Sequence, residues 1–136
     1  MAEVLADSSI LIDLATSDPV WSPWSRQKLL EARLAGPVLI NQIVYAECLM
    51  AFRRSGQTML EDESIITRRD LPWRAAEIAA GACADYRQRG GTRETILPDF
   101  LIGAHAEVEG LTLLTRDPRR IRAAFPGVEV ITPGAA

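Results

Sequence analysis

The chain has one histidine, one lysine and two cysteines. Cys48 and Cys83 stand far apart with no Cys-x-x-Cys pair, so a zinc site of the usual Cys/His type cannot be assembled. Both thiols are expected to be buried and reduced. No apolar run approaches the ~20 residues that would span a bilayer. The opening stretch from Met1 to Asp7 has no basic segment, and it places an acid where a secretory signal needs apolar residues. A cytoplasmic protein with no membrane association is therefore expected. Eight prolines and nine glycines in 136 residues are too few for a low-complexity chain, and 48% hydrophobic with 24% charged residues in mixed order argues against disorder. One globular domain over residues 1–136, with a core that needs no staples, is the expected organisation.

Positive charge is slightly outnumbered by negative and is uniform in kind. The formal charge of −3 argues against a broad positive field for nucleic acid, though not against a local basic rim. Of fifteen basic residues fourteen are arginine and only Lys28 is lysine. Guanidinium suits planar, two-pronged contact with phosphate or carboxylate, and a codon bias toward arginine would give the same count.

What the chain does have is alternation. Val4 to Ala6 reads as a short buried strand, and Ile10, Leu11 and Leu14 follow at helical spacing. Ser22-Pro23 opens a helix that runs to Gly36, and Pro37 to Ile40 is a second strand. Asn41 caps a third helix, apolar nearly all round from Gln42 to Phe52, which is expected to be central and to stop at Gly56. Gln57 to Ile66 reads as a shorter helix with Glu61, Asp62 and Glu63 on a solvated face. Ala75, Ile78, Ala79, Ala82 and Tyr86 make the stripe of a closely packed helix ending at Gly90-Gly91. Pro98 opens a helix that Gly110 closes, Leu111 to Leu114 is a strand, Asp117-Pro118 starts a short basic helix, and Val128 to Ile131 is the last strand. This order predicts an α/β domain with a mainly parallel sheet flanked by helices. Chemistry in such sheets is sought where residues leave the carboxyl ends of strands.

Four acids meet that condition or nearly so: Asp7, Glu47, Asp99 and Asp117. Asp7 and Asp117 can equally serve as helix caps, and Asp99 can answer a helix dipole. Glu47 is different, because it is the only charge between Asn41 and Phe52 and its helical neighbours are apolar. A carboxylate in that setting needs a partner. An arginine is one answer. The other is a cluster of like charges around a divalent cation, for which an all-oxygen site without histidine or cysteine suits Mg²⁺ or Mn²⁺.

Four blocks carry a family resemblance. They are Val4-Leu5-Ala6-Asp7-Ser8-Ser9-Ile10-Leu11-Ile12-Asp13, Ile43-Val44-Tyr45-Ala46-Glu47, Asp99-Phe100-Leu101-Ile102-Gly103-Ala104-His105-Ala106, and Leu113-Leu114-Thr115-Arg116-Asp117. In order and spacing, across the whole chain, they resemble a PIN-domain nuclease, specifically a VapC-type toxin of a bacterial toxin–antitoxin pair. The resemblance implies a PIN-like fold, a Mg²⁺- or Mn²⁺-dependent endoribonuclease, and Asp7, Glu47, Asp99 and Asp117 as metal-binding and catalytic acids. Ser8 and Thr115 match the small hydroxyl positions beside those acids; Ser8 stands where threonine is commoner. The resemblance also implies RNA as substrate, a homodimer, and a small DNA-binding antitoxin whose tail folds over the site.

The remaining conspicuous residues have plainer expectations. His105 follows Asp99 by six positions, points away from it and should pack or lie on a helix surface. Asp13 is expected to be a solvated helix residue. Trp21, Trp24 and Trp73 are expected to pack between helices or subunits rather than stack on bases. Arg116, Arg119, Arg120 and Arg122 either steer an RNA backbone toward Asp117 or merely face water. Two rivals remain at this point. A phosphorylatable receiver domain also gathers acids at strand ends but needs a lysine after its last strand, where this chain has none. A PIN-like RNA-binding module without catalysis would not need all four acids.

Overall fold

A computed structural model of the protein describes residues 3–55 and 65–133. The chain runs β1 (Val4–Ala6), α1 (Ser8–Thr16), α2 (Ser22–Ala35), β2 (Val38–Ile40), α3 (Gln42–Ser55), β3 (Ile66–Arg68), α4 (Trp73–Gln88), α5 (Leu97–Glu109), β4 (Thr112–Leu114), α6 (Arg119–Ala124) and β5 (Val130–Ile131). The five strands form one sheet in the order β3-β2-β1-β4-β5, with every neighbouring pair parallel. β1, β2 and β4 are buried at all positions, as strands covered by helices on both faces must be. The expected α/β architecture is present, with one strand more than foreseen.

The ends of the helices follow from local chemistry. Asp7 caps α1, its Oδ1 accepting from the Ser8 N–H at 2.8 Å. Asn41 caps α3, its Oδ1 accepting from the Val44 N–H at 3.0 Å. Gly110, at φ 64°, closes α5 with its N–H bonded to Ala106 O, in a backbone conformation that favours glycine. Among the described residues no helix is long and apolar enough to cross a membrane.

The core lies between the sheet and its helices, and α5 is its central rod. Phe100, Ile102, Gly103, Ala104, His105 and Ala106 are all buried on α5. Tyr86, Phe100 and Phe125 form an edge-to-face chain, with centroids 5.8 and 5.7 Å apart. α4 packs along α5 with Ala75 and Ala79 buried, the close approach that its small residues predict.

Four expectations need correction. The segment Gln57 to Ile66 lies largely outside the described residues, but its last residue begins β3 instead of ending a helix. Three residues with one buried side chain leave too short a pattern to read as a strand. α3 is a surface helix, not a central one: Val44, Cys48 and Phe52 are buried at i, i+4, i+8, whereas Leu49 and Met50 are exposed. Cys48 is buried and Cys83 only partly so; both are free. Asp13 is 2% exposed, not solvated.

Candidate active site

The chain adds β2 and β3 on one side of β1, then returns to add β4 and β5 on the other. The crevice between β1 and β4 is thus the topological switch point, where an open parallel sheet leaves room for a ligand beyond its strand ends. Asp7 and Thr115 are the first residues past those two strands. The Asp7 N–H continues the sheet by donating to Leu114 O at 2.9 Å.

Asp7 is the hub of the hydrogen bonding here. Thr115 Oγ1 donates to its Oδ2 at 2.9 Å, and Ser9 Oγ donates to the same oxygen at 3.1 Å. Ser8 Oγ donates to Glu47 Oε1 at 3.0 Å, with Asp7 Oδ1 at 3.5 Å on its other side. Five side chains, from the ends of β1 and β4 and from α1 and α3, are therefore tied to one another.

Asp99 and Asp117 approach from α5 and from the loop after β4, each with an arginine. Arg120 Nη1 lies 3.0 Å from Asp99 Oδ2. Arg119 grips Asp117 with two nitrogens, Nε to Oδ1 at 3.1 Å and Nη2 to Oδ2 at 3.2 Å. These acids line one open cavity of about 760 Å³ together with Asp7, Thr115, Arg93, Arg116, Arg119 and Arg120. Glu47 does not line it and is reached through Ser8.

The titration of the acids records this crowding. Burial pushes the Glu47 carboxyl above its usual range; the Ser8 hydrogen bond offsets part of this, and the charges of Asp7 and Asp99 add to it. Burial also raises Asp99, with Asp7 and Asp117 pushing the same way and Arg93 opposing. The rise persists although Arg120 is 3.0 Å away. Asp117 goes the other way, held down chiefly by its hydrogen bond from Arg119. The Cys48 thiol below the site is pushed up to about 12, first by burial and then by Glu47 and Asp7, so it is inert as a nucleophile. Among the described residues no three Asp, Glu, His or Cys side chains stand close enough to share one ion.

Of the residues singled out in the sequence, Asp7, Ser8, Glu47 and Thr115 are joined by direct hydrogen bonds. Asp99 is linked to them by charge, and Asp117 by its N–H to Thr115 Oγ1 at 3.4 Å. His105 is apart from them, fully buried between Asn41 and Glu109, a packing role as expected. Trp73 is 91% exposed, so it does not pack between helices. Arg93 escaped notice, for a lone arginine in a Gly-Gly-Thr-Arg-Glu-Thr loop carries no pattern. Asp13 did carry one: it is the only charge in α1, the same signal that marked Glu47 in α3.

A doubly wound parallel α/β domain with hydroxyl-bridged carboxylates at its switch point is the class that this fold and site define. The sequence profile of the PIN domain matches residues 4–126, and the chain belongs to that family. No curated protein sequence matches it. Among solved structures, the VapBC2 complex from Rickettsia felis bound to a promoter DNA fragment shares the fold at TM-score 0.70 and 15% identity, over 95% of this chain and 97% of that one. A toxin–antitoxin complex from Klebsiella pneumoniae is 26% identical at TM-score 0.66, over 98% of this chain and 99% of that one. FitAcB from Neisseria gonorrhoeae is 19% identical at TM-score 0.68, over 98% and 99%.

Proposed function

We propose that this protein is a metal-dependent endoribonuclease and the toxin of a bacterial toxin–antitoxin pair. The observation that carries the catalytic half is the gathering of Asp7, Glu47 and Asp99 at one strand edge, where Ser8 bridges Asp7 to Glu47 and the charge of Asp7 raises the pKa of both Glu47 and Asp99. Like charge of this kind, offset only in part by Arg93 and Arg120, calls for a cation, and the donors are all oxygen. Mg²⁺ keeps several of its own waters and needs only one or two carboxylates, so the spacing of the acids is no obstacle. Asp7, Glu47, Asp99 and Asp117 would hold Mg²⁺ or Mn²⁺. When bound, such an ion supplies acidity toward water and offsets charge on a phosphodiester.

The chain's own residues do the rest. Ser8, Ser9 and Thr115 fix the Asp7 and Glu47 carboxylates, and the carboxylates that line the cavity orient the attacking water and accept its proton. Arg119 and Arg120 neutralise Asp117 and Asp99 until those acids are engaged elsewhere, and both arginines, with Arg93, then face the RNA backbone. No side-chain nucleophile is required.

The toxin half rests on the kinship with toxin–antitoxin complexes, above all the one 26% identical. Exposed Leu30 and Leu34 on α2 and Leu49 and Met50 on α3 are apolar surface suited to a second subunit or a small antitoxin. Expression with and without the neighbouring gene product, with new RNA 5′ ends sequenced, tests the whole reading. RNA cuts and growth arrest are expected only when the protein is expressed alone. A folded protein that binds RNA without cutting it in Mg²⁺ would be a binding module and would refute the proposal.

A further inference from the structure

Besides the acids, the cavity is lined by Ile12, Trp21 and Arg116. The Arg116 guanidinium carbon lies 5.4 Å from the centroid of the Trp21 ring. Its Nε lies 3.2 Å from Asp13 Oδ2, and Asp13 is 2% exposed. That Nε is buried with no aligned hydrogen bond, so the attraction to Asp13 is one of charge. Asp13 is itself fixed by Ser25 Oγ at 2.9 Å, and the Trp21 backbone N–H is fixed by Asp18 Oδ1 at 2.8 Å. The terminal amino groups of Arg116 make no hydrogen bond among the described residues and belong to a side chain that lines the cavity.

An ion pair with one buried partner, as Asp13 is here, is a weak way to stabilise a fold, because desolvation offsets much of its attraction. What this one does is hold a guanidinium beside an indole, next to the acids, with its terminal amino groups unbonded among the described residues. Arg116 stands between Thr115, whose hydroxyl holds Asp7, and Asp117. We propose that Trp21 and Arg116 form a nucleobase subsite that receives a base of single-stranded RNA adjoining the scissile phosphate, with Asp13 as the positioning residue for the guanidinium. Exposed bases are recognised by stacking on aromatic rings or guanidinium planes and by donors to their edges, and this pair offers all three. A site for phosphate alone would need neither the indole nor a locked guanidinium plane. The subsite rests on the endoribonuclease reading for its place in the reaction, but its occupancy can be measured without cleavage.

The experiment uses fluorescein-labelled RNA pentamers of each base, and an abasic pentamer, binding to the protein in an Asp7→Asn background with Mg²⁺ present. Trp21→Leu should weaken binding of the based pentamers by about tenfold and leave the abasic one unchanged. Trp21→Phe should stay within about threefold of the parent, since a ring remains. Arg116→Lys keeps the charge and the partner Asp13 but loses the plane, so affinities for the four bases should converge. In the active protein Asp13→Asn should raise KM with kcat little changed, and Asp13→Glu should recover part of the loss. Equal binding of based and abasic pentamers by the parent, or a Trp21→Leu protein that melts and binds as the parent does, overturns the subsite. Trp21-dependent binding by a chain that never cleaves RNA would leave the subsite standing and refute the nuclease reading, whereas cleavage with KM indifferent to Trp21 and Arg116 would do the reverse.

Discussion

Ser8 Oγ donates to Glu47 Oε1 at 3.0 Å, and this hydroxyl ties the first turn of α1 to α3 beside Asp7. It eases a carboxylate that burial and two neighbouring acids push toward its neutral form. Because the folded-state pKa of Glu47 lies above the unfolded value, the folded protein holds this proton more tightly. The resulting cost to stability is absent below the unfolded value of about 4.3 and grows to its full size as pH rises past the folded value.

Glu47→Gln removes that cost while keeping an oxygen for Ser8 to bond. In chelator, the variant should melt with wild type near pH 4 and a few degrees above it at pH 7. Melting curves against pH check the sign. A Gln variant less stable than wild type at pH 7 would mean that Glu47 is compensated by a partner and is not strained.

Asp7→Asn and Asp99→Asn should each lower RNA cleavage by more than ~100-fold while the fold survives, because both would hold the ion directly and even supporting groups are worth 10–100-fold. Mg²⁺ at about a hundred times its Kd should stabilise the wild-type fold by ~2.7 kcal/mol, and this gain should shrink in Asp99→Asn. Thermal melts with Mg²⁺ and with chelator read it. Absence of any metal-dependent rise in wild type would exclude a resident ion at these acids.

Much of the fold was legible because its elements are bounded by strong local chemistry: Asn41 as a cap, Pro23 and Pro98 in first turns, Gly110 in a left-handed close. The acids were legible because strand ends converge at a switch point whatever the details. β3 was not, since a three-residue edge strand has no period to detect. Nor were the partners of the acids. That Arg120 would reach Asp99 across 21 positions, or Asp13 bury itself against Ser25 and Arg116, depends on how α1, α2, α5 and α6 dock, which no single segment encodes.

The Asn41–His105–Glu109 chain makes a prediction about stability. Asn41 Oδ1 is committed to the cap of α3, which turns its amide nitrogen toward His105 Nδ1 at 3.0 Å and makes that nitrogen an acceptor. The proton then sits on Nε2, which donates to Glu109. Asn41→Ala therefore removes a helix cap worth ~1 kcal/mol and leaves a fully buried ring nitrogen unsatisfied at a further ~1–3 kcal/mol. Urea unfolding should show a loss of about 2–4 kcal/mol. A loss under 1 kcal/mol would mean that water takes the place of the amide.

Gly103 connects the core to the site. A Cβ built there would stand 2.6 Å from the Phe125 ring and 3.0 Å from Ile121 Cδ1. In an unconstrained helix, Gly→Ala would gain about 1 kcal/mol. Here Phe125 is buried and wedged edge-on against Phe100, so its ring has nowhere to turn, and overpacking of this kind costs about 1–3 kcal/mol. The cost exceeds the gain, and α6 must shift away from α5. α6 carries Arg119 and Arg120, so the Arg120–Asp99 contact at 3.0 Å should loosen with it. Gly103→Ala should therefore lower both the melting temperature and RNA cleavage, although it touches no site residue. Phe125→Leu in the same chain, which makes room for the methyl, should recover part of both losses, so the double variant should be more stable than the two single effects sum to. A Gly103→Ala protein that melts at or above wild type would show that helix propensity wins and that α5 and α6 are not in close contact at this glycine.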